Sequence, residues 1–170
     1  MSKLVEANLQ YVCRRAKVLE SFTFVKCLYI CLDGEVQYPT GTVLFQLVRL
    51  ELCSCEDNWT NMLVSVLQHA PKLQVLKLEL NQYHIVRKVC WIQPERVPEC
   101  LLVHLKTFEW RDYKGTQAEK EVAMYILKNA RRLVNATIYP DSVKLVRKHR
   151  MFEELEIASR DSRACELTMG

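Results

Sequence analysis

One short pattern, apolar–x–x–apolar–x–apolar, recurs along this 170-residue chain and leaves few folds open to it. It reads Val25, Leu28, Ile30, then Leu47, Leu50, Leu52, then Leu73, Leu76, Leu78 and Leu105, Phe108, Trp110. Looser copies at Leu4, Ala7, Leu9 and at Leu133, Ala136, Ile138 extend the series at both ends. The central positions are 7, 28, 50, 76, 108 and 136, in steps of 21, 22, 26, 32 and 28. Residues two apart share one face of a strand. The last two apolar positions of each copy are therefore expected to point into a core, and their neighbours the other way.

Between copies the apolar period changes towards 3.6, which predicts helices. Trp59, Met62, Leu63, Val66 and Leu67 form one helical stripe, and Pro71 ends it because proline cannot continue a helix. Thr116 and Glu119 have capping-box spacing ahead of a second stripe: Val122, Ala123, Ile126, Leu127 and Ala130. Arg131 and Arg132 follow, where the helix dipole favours positive charge. Asp141 is expected to cap a third helix running through Leu155, its apolar face interrupted by Lys148, His149 and Arg150. Strand–helix alternation gives an α/β chain with a parallel sheet. One strand every 20 to 29 residues or so is the spacing of leucine-rich repeats. The expected fold is thus a leucine-rich-repeat-like solenoid, its uneven steps favouring a curved array over a doubly wound sheet. A compact α/β domain fused to one or two repeats is the other arrangement. Residues 81–98, with Pro94 and Pro98, break the repeat length and form the expected seam.

Composition narrows the function classes. Apolar residues make up 49 % and charged residues 26 %, enough for a packed core. No apolar run reaches the roughly 18 residues a membrane span needs, so no membrane partner is expected. The first residues lack a secretory apolar stretch. The eight cysteines are accordingly read as reduced thiols in an intracellular compartment, cytoplasm or nucleus. The net charge of +4 lies wholly in residues 86–170, which hold sixteen Lys and Arg against twelve Asp and Glu.

Candidate chemistry is thin. Cys53 and Cys55, with Cys27 and Cys31 on the preceding strand, are the only metal-like grouping, and they lack a paired-ligand motif. The histidines at 69, 84, 104 and 149 are scattered, and the four glycines form no phosphate loop. No catalytic residue, cofactor or metal is expected; a cysteine nucleophile is the enzyme alternative. The run from Lys144 to Arg150 is the best basic patch. It supports the alternative of a nucleic-acid-binding module using the basic C-terminal helix. A solvated face balanced by Glu153, Glu154 and Glu156 is the preferred account, and nucleic acid is not an expected partner. Phe108 and Trp110 are read as core, Trp91 as cover for the seam. The outward strand positions carry a different signal. Tyr29, Arg49, Glu51, Lys77, Glu79, Glu109, Arg111, Thr137 and Tyr139 would line one continuous face of mixed charge, a candidate protein-binding surface.

The wording of Trp91–Leu133 goes further than periodicity. It contains Trp91-x-x-Pro94, Val97-Pro98-Glu99-Cys100-Leu101 and Leu105-x-x-Phe108-x-Trp110. Tyr113-x-Gly115, Glu119-Lys120-Glu121 and Tyr125-Ile126-Leu127-x-Asn129-Ala130 follow in order. This stretch resembles the FBD domain of plant F-box proteins. Upstream, Leu4 to Ala7, Tyr38 to Gly41 and Leu50 to Cys53 are similar to the leucine-rich repeats that precede it there. The resemblance implies repeats over residues 1–85 and an FBD domain over 86–170, packed on and closing their end. It departs from the family at Arg163, where proline is usual ahead of Cys165 and Leu167, and in the charge of Lys148 to Arg150. Nothing in residues 1–45 resembles the F-box, the three helices that dock on a ligase adaptor. The resemblance implies a non-enzymatic module like the substrate-recognition part of a ubiquitin-ligase receptor. Its partner is an unidentified protein target, and the adaptor is not an expected partner of this chain alone.

Overall fold

A computed structural model describes residues 6–13, 16–33, 38, 41–55, 57–81, 89–141, 145–159 and 165–170. The described residues form seven strands, the first six of which carry the recurring pattern. They are β1 (Glu6–Cys13), β2 (Cys27–Asp33), β3 (Arg49–Ser54), β4 (Val75–Leu80), β5 (Thr107–Tyr113), β6 (Asn135–Pro140) and β7 (Glu166–Met169). They form one sheet in chain order, every neighbouring pair parallel. A doubly wound sheet reverses its strand order at a switch point; this order never reverses. The structure is α/β, with parallel strands and intervening helices, and the sheet is open, with β1 and β7 at its edges.

The pairing puts equivalent positions side by side. Ala7, Leu28, Leu50, Leu76, Phe108, Ala136 and Leu167 form one cross-strand row. Leu9, Ile30, Leu52, Leu78, Trp110, Ile138 and Met169 form the next. From Leu28 to Ile138 these side chains are buried, while Leu167 and Met169 at the edge pack only partly. The first motif position is buried as well: Val25, Leu47, Leu73, Leu105 and Leu133. A backbone ladder explains the fixed spacing. Val48 N–H donates to Lys26 C=O, Gln74 to Val48, Lys106 to Gln74, Val134 to Lys106 and Glu166 to Val134. Each turn into a strand thus hangs from the turn before it, which leaves few backbone groups unpaired.

Among the described residues four α-helices cover the inner face: α1 (Trp59–His69), α2 (Glu99–Val103), α3 (Gln117–Asn129) and α4 (Leu145–Ser159). A 3₁₀ helix, Ala16–Phe22, occupies the first connection. The α1 stripe is buried as its spacing predicts, and the helix stops one residue short of Ala70, just before Pro71. The capping box of α3 is complete. Thr116 Oγ1 accepts from the Glu119 N–H, and the Glu119 carboxylate accepts from the Thr116 N–H. The capping role expected of Asp141 turns on residues 142–144, which lie outside the described residues; Asp141 N–H donates to Tyr113 C=O at 2.9 Å. α4 runs past Leu155 to Ser159.

The β5 strand contains one irregularity. Its register with β6 shifts between Trp110 and Tyr113, and Asp112 has a left-handed φ of 55°. Phe108 and Trp110 point inward, and strict alternation would send Tyr113 outward. The bulge adds one residue and returns Tyr113 to the core, where it is fully buried.

Candidate functional site

The outward face begins with the rows between the buried ones. Tyr29 lies beside Glu51, Glu51 beside Lys77, Lys77 beside Glu109 and Glu109 beside Thr137. On one side of that row Arg49 lies beside Cys27 and Val75. On the other, Cys31 opposes Cys53, Cys53 opposes Glu79 and Glu79 opposes Arg111. All nine candidate residues therefore share one face, brought together by register alone. Arg49, Arg111 and Tyr139 are exposed, and the other six are half-buried among their neighbours.

The charges on this face are largely paired. Arg49 Nε donates to Glu51 Oε1 at 2.9 Å. Glu109 receives two cations, Arg111 Nε at 2.7 Å and Lys77 Nζ at 3.3 Å. Burial alone would raise the Glu109 pKa, but the bonds from Arg111 and Lys77 outweigh it and hold it below the ordinary carboxylate value. Arg111 also sits over the Tyr139 ring, 6.0 Å from its centroid. Three cations (Arg49, Lys77, Arg111) face three anions (Glu51, Glu79, Glu109), so the named residues sum to zero. A dimple of about 20 Å³ lies between Tyr29, Glu51, Cys53, Lys77, Glu79 and Arg111 in the middle of the face. The surface is shaped for contact rather than for enclosing a small molecule, which needs several hundred Å³.

Two features of this face were not among the sequence expectations. β7 adds Thr168 beyond Thr137, the hydroxyls bonded at 3.2 Å. Its signal, Leu167-x-Met169, is too short to stand out from the sequence. The thiols of Cys31 and Cys53 lie against each other and are withdrawn from solvent, where simple alternation would expose them.

The other candidates separate in space. Cys27 pairs across from Arg49, and Cys55 lies beyond the end of β3, so the four-cysteine grouping is not assembled. No three His, Cys, Asp or Glu side chains among the described residues are placed to hold a metal ion. His69 Nδ1 bonds Ser65 C=O at 2.7 Å and stacks on Tyr38, a helix-end role. Phe108 and Trp110 are fully buried, and Trp91 packs on Tyr125 at 5.5 Å. The basic run on α4 is engaged locally. Arg147 donates to Lys114 C=O, Lys148 to Gly170 C=O, and His149 lies 3.3 Å from Glu153. Lys144 lies outside the described residues. No helix of the described residues is long and apolar enough to cross a membrane.

Comparison with known proteins matches this architecture to a family. The FBD family model matches residues 93–138, from the Trp91 segment through β6. An F-box/FBD/LRR-repeat protein of Arabidopsis thaliana is 44 % identical over 98 % of this chain and 40 % of its own length. An FBD-associated F-box protein of the same plant is 40 % identical over 100 % of this chain and 44 % of its own. The chain thus spans about two fifths of the length of the curated relatives it matches. No solved structure matches it.

Proposed function

The chain carries an FBD domain and is a relative of the F-box/FBD/LRR-repeat proteins, and from that premise we propose that it is a non-enzymatic target-binding module of a ubiquitin-ligase receptor. The observation that carries this reading is the outward strand face. Four parallel strand pairings make one continuous surface from Tyr29 to Tyr139. Its charges are balanced and mostly pre-paired, which disfavours a polyanion and suits a protein surface with a matching mosaic. In this reading the module works by proximity: it holds a target while another subunit supplies the chemistry.

Residues 1–85 act as leucine-rich repeats and residues 86–170 as the FBD unit stacked on their end, the whole forming a solenoid. The unbroken pairing of β4 with β5 supports that stacking. The 170 residues by themselves do not engage the ligase adaptor, since the described helices are spent covering the sheet. The working compartment is a reducing one, cytoplasm or nucleus, which suits a chain with thiols on its strands.

Proximity labelling with the intact chain tests the assignment. Lys77→Glu combined with Glu79→Lys keeps the local net charge but scrambles the mosaic. The labelled set is expected to collapse with this pair and to persist when Arg147 and Arg150 on α4 are neutralised. The reverse outcome would transfer the function to α4 and favour the nucleic-acid alternative. Direct binding of the 170 residues to the adaptor would overturn the claim that coupling lies elsewhere.

A further inference from the structure

Cys31 on β2 and Cys53 on β3 are direct partners in the parallel ladder. Neighbouring strands run about 4.8 Å apart, within the roughly 4.4–6.8 Å Cα separation that a disulfide bridges. Both side chains leave the same face of the sheet, and the two thiols lie against each other. Their exposures are 9 % and 6 %. A dimple of about 20 Å³ is lined by Cys53, one member of the pair. It has room for a molecule the size of water and excludes bulky reagents.

We propose that Cys31 and Cys53 form an oxidative modification site: a cross-strand dithiol that hydrogen peroxide closes to a disulfide. One sulfur takes an oxygen from the peroxide, becoming a sulfenic acid as the O–O bond breaks and water leaves. The second sulfur then attacks the first, forming the S–S bond; the sulfenic oxygen departs with both remaining protons as a second water. Two thiols lose two hydrogens, and one peroxide becomes two waters, so no other oxidant is required. A dithiol reductant reverses the step.

Burial and the neighbouring Cys31 thiol push the Cys53 thiol up to about 12. The thiolate is the nucleophile, so Cys53 reacts slowly, and closure needs sustained peroxide. Among the cysteines whose side chains are described, Cys55 and Cys90 are the exposed thiols. Large disulfide reagents reach those two, whereas peroxide alone reaches the buried pair. The site stands on register and access, whether or not this face binds a target.

Peptide mapping after peroxide treatment tests the proposal. The chain is oxidised, remaining thiols are alkylated in denaturant, and tryptic peptides are separated without reductant. Cleavage after Lys26, Arg49 and Lys72 places Cys27 and Cys31 in one peptide and Cys53 and Cys55 in the next. The expected product is those two peptides joined, lighter by two hydrogens than their sum, and separated by dithiothreitol. The joint must persist in Cys55→Ser with Cys90→Ser, and vanish in Cys31→Ser and in Cys53→Ser. Circular dichroism shows whether each variant is folded, and the Cys55/Cys90 variant keeps the question open if a buried substitution is not tolerated. A joint that survives Cys31→Ser, or separately alkylated Cys31 and Cys53 after peroxide, overturns the proposal.

Discussion

Trp59 on α1 meets Trp110 on β5 edge to face, with ring centroids 5.7 Å apart. Trp110 also contacts Phe108 at 6.1 Å and Tyr113 at 5.3 Å, and all four rings are buried. Trp59 lies outside the residues that the FBD family model matches and the other three rings lie within the match, in β5, so the cluster ties the matched segment to the part of the chain before it. Trp110→Ala is expected to cost about 3–5 kcal/mol, lowering the urea midpoint of the whole chain in a single transition. Trp fluorescence and far-UV circular dichroism should report the same midpoint. Two separated transitions would show that the two parts fold independently and that the shared cluster is incidental.

Gly115 does two things that no other residue type does at once. Its φ is 69°, and a Cβ there would lie 2.6 Å from Met151 Cε on α4. Gly115→Ala therefore combines a left-handed backbone penalty of about 1 kcal/mol or more with displacement of a buried methionine. The expected loss is about 2 kcal/mol or more, because Met151 is only 4 % exposed. Adding Met151→Ala to Gly115→Ala should restore less than the methionine contributes but relieve the clash. A strictly additive double variant would argue that the two do not interact.

The strands were legible because their signal is redundant. Each copy carries three apolar positions at fixed spacing, and register then brings Tyr29, Glu51, Lys77 and Glu109 together without further information. The α3 capping box was legible because Thr116 and Glu119 satisfy a local geometry that needs no tertiary partner. Other features depend on atoms far away in sequence. The contact of Cys31 with Cys53 exists only once β2 and β3 pair. The short α2 and the Ala16–Phe22 3₁₀ helix are too brief for periodicity to register. The nine binding-face residues could be placed on one side of the sheet from alternation alone, but not their ion pairs, which depend on rotamers across strands.

The bulge at Asp112 was also illegible, since nothing local distinguishes it from ordinary alternation. It yields a direct test. A non-glycine residue in the left-handed region costs about 1–2 kcal/mol, less for Asp and Asn than for others. Asp112→Ala should therefore destabilise by about 1 kcal/mol, whereas Asp112→Gly should be neutral or better. Chemical denaturation of both variants checks the order. Equal effects would mean that the Asp112 side chain, not its backbone angle, matters there.

Two glutamates give opposite pH signatures. Glu119 is wholly buried, and burial raises its pKa above 4.5, even though the Thr116 and Lys114 N–H groups at 2.9 and 3.1 Å pull it down. A raised acid favours the folded state while protonated, so its contribution is full below the unfolded pKa and is lost as pH rises through the folded one. Glu109 is the reverse: lowered by Arg111 and Lys77, it stabilises above the unfolded pKa, and this is lost as pH falls through the folded one. Glu119→Gln keeps an acceptor for both N–H groups and cannot ionise. Its stability relative to the natural chain should improve as pH climbs from the ordinary carboxylate range. Glu109→Gln should lose ground over the acid end of that range as pH rises and the natural carboxylate ionises. Urea unfolding of the three proteins at stepped pH separates the two slopes. A Glu119→Gln difference that stays flat with pH would show that the buried carboxyl keeps an ordinary pKa, its two N–H bonds having offset the cost of burial.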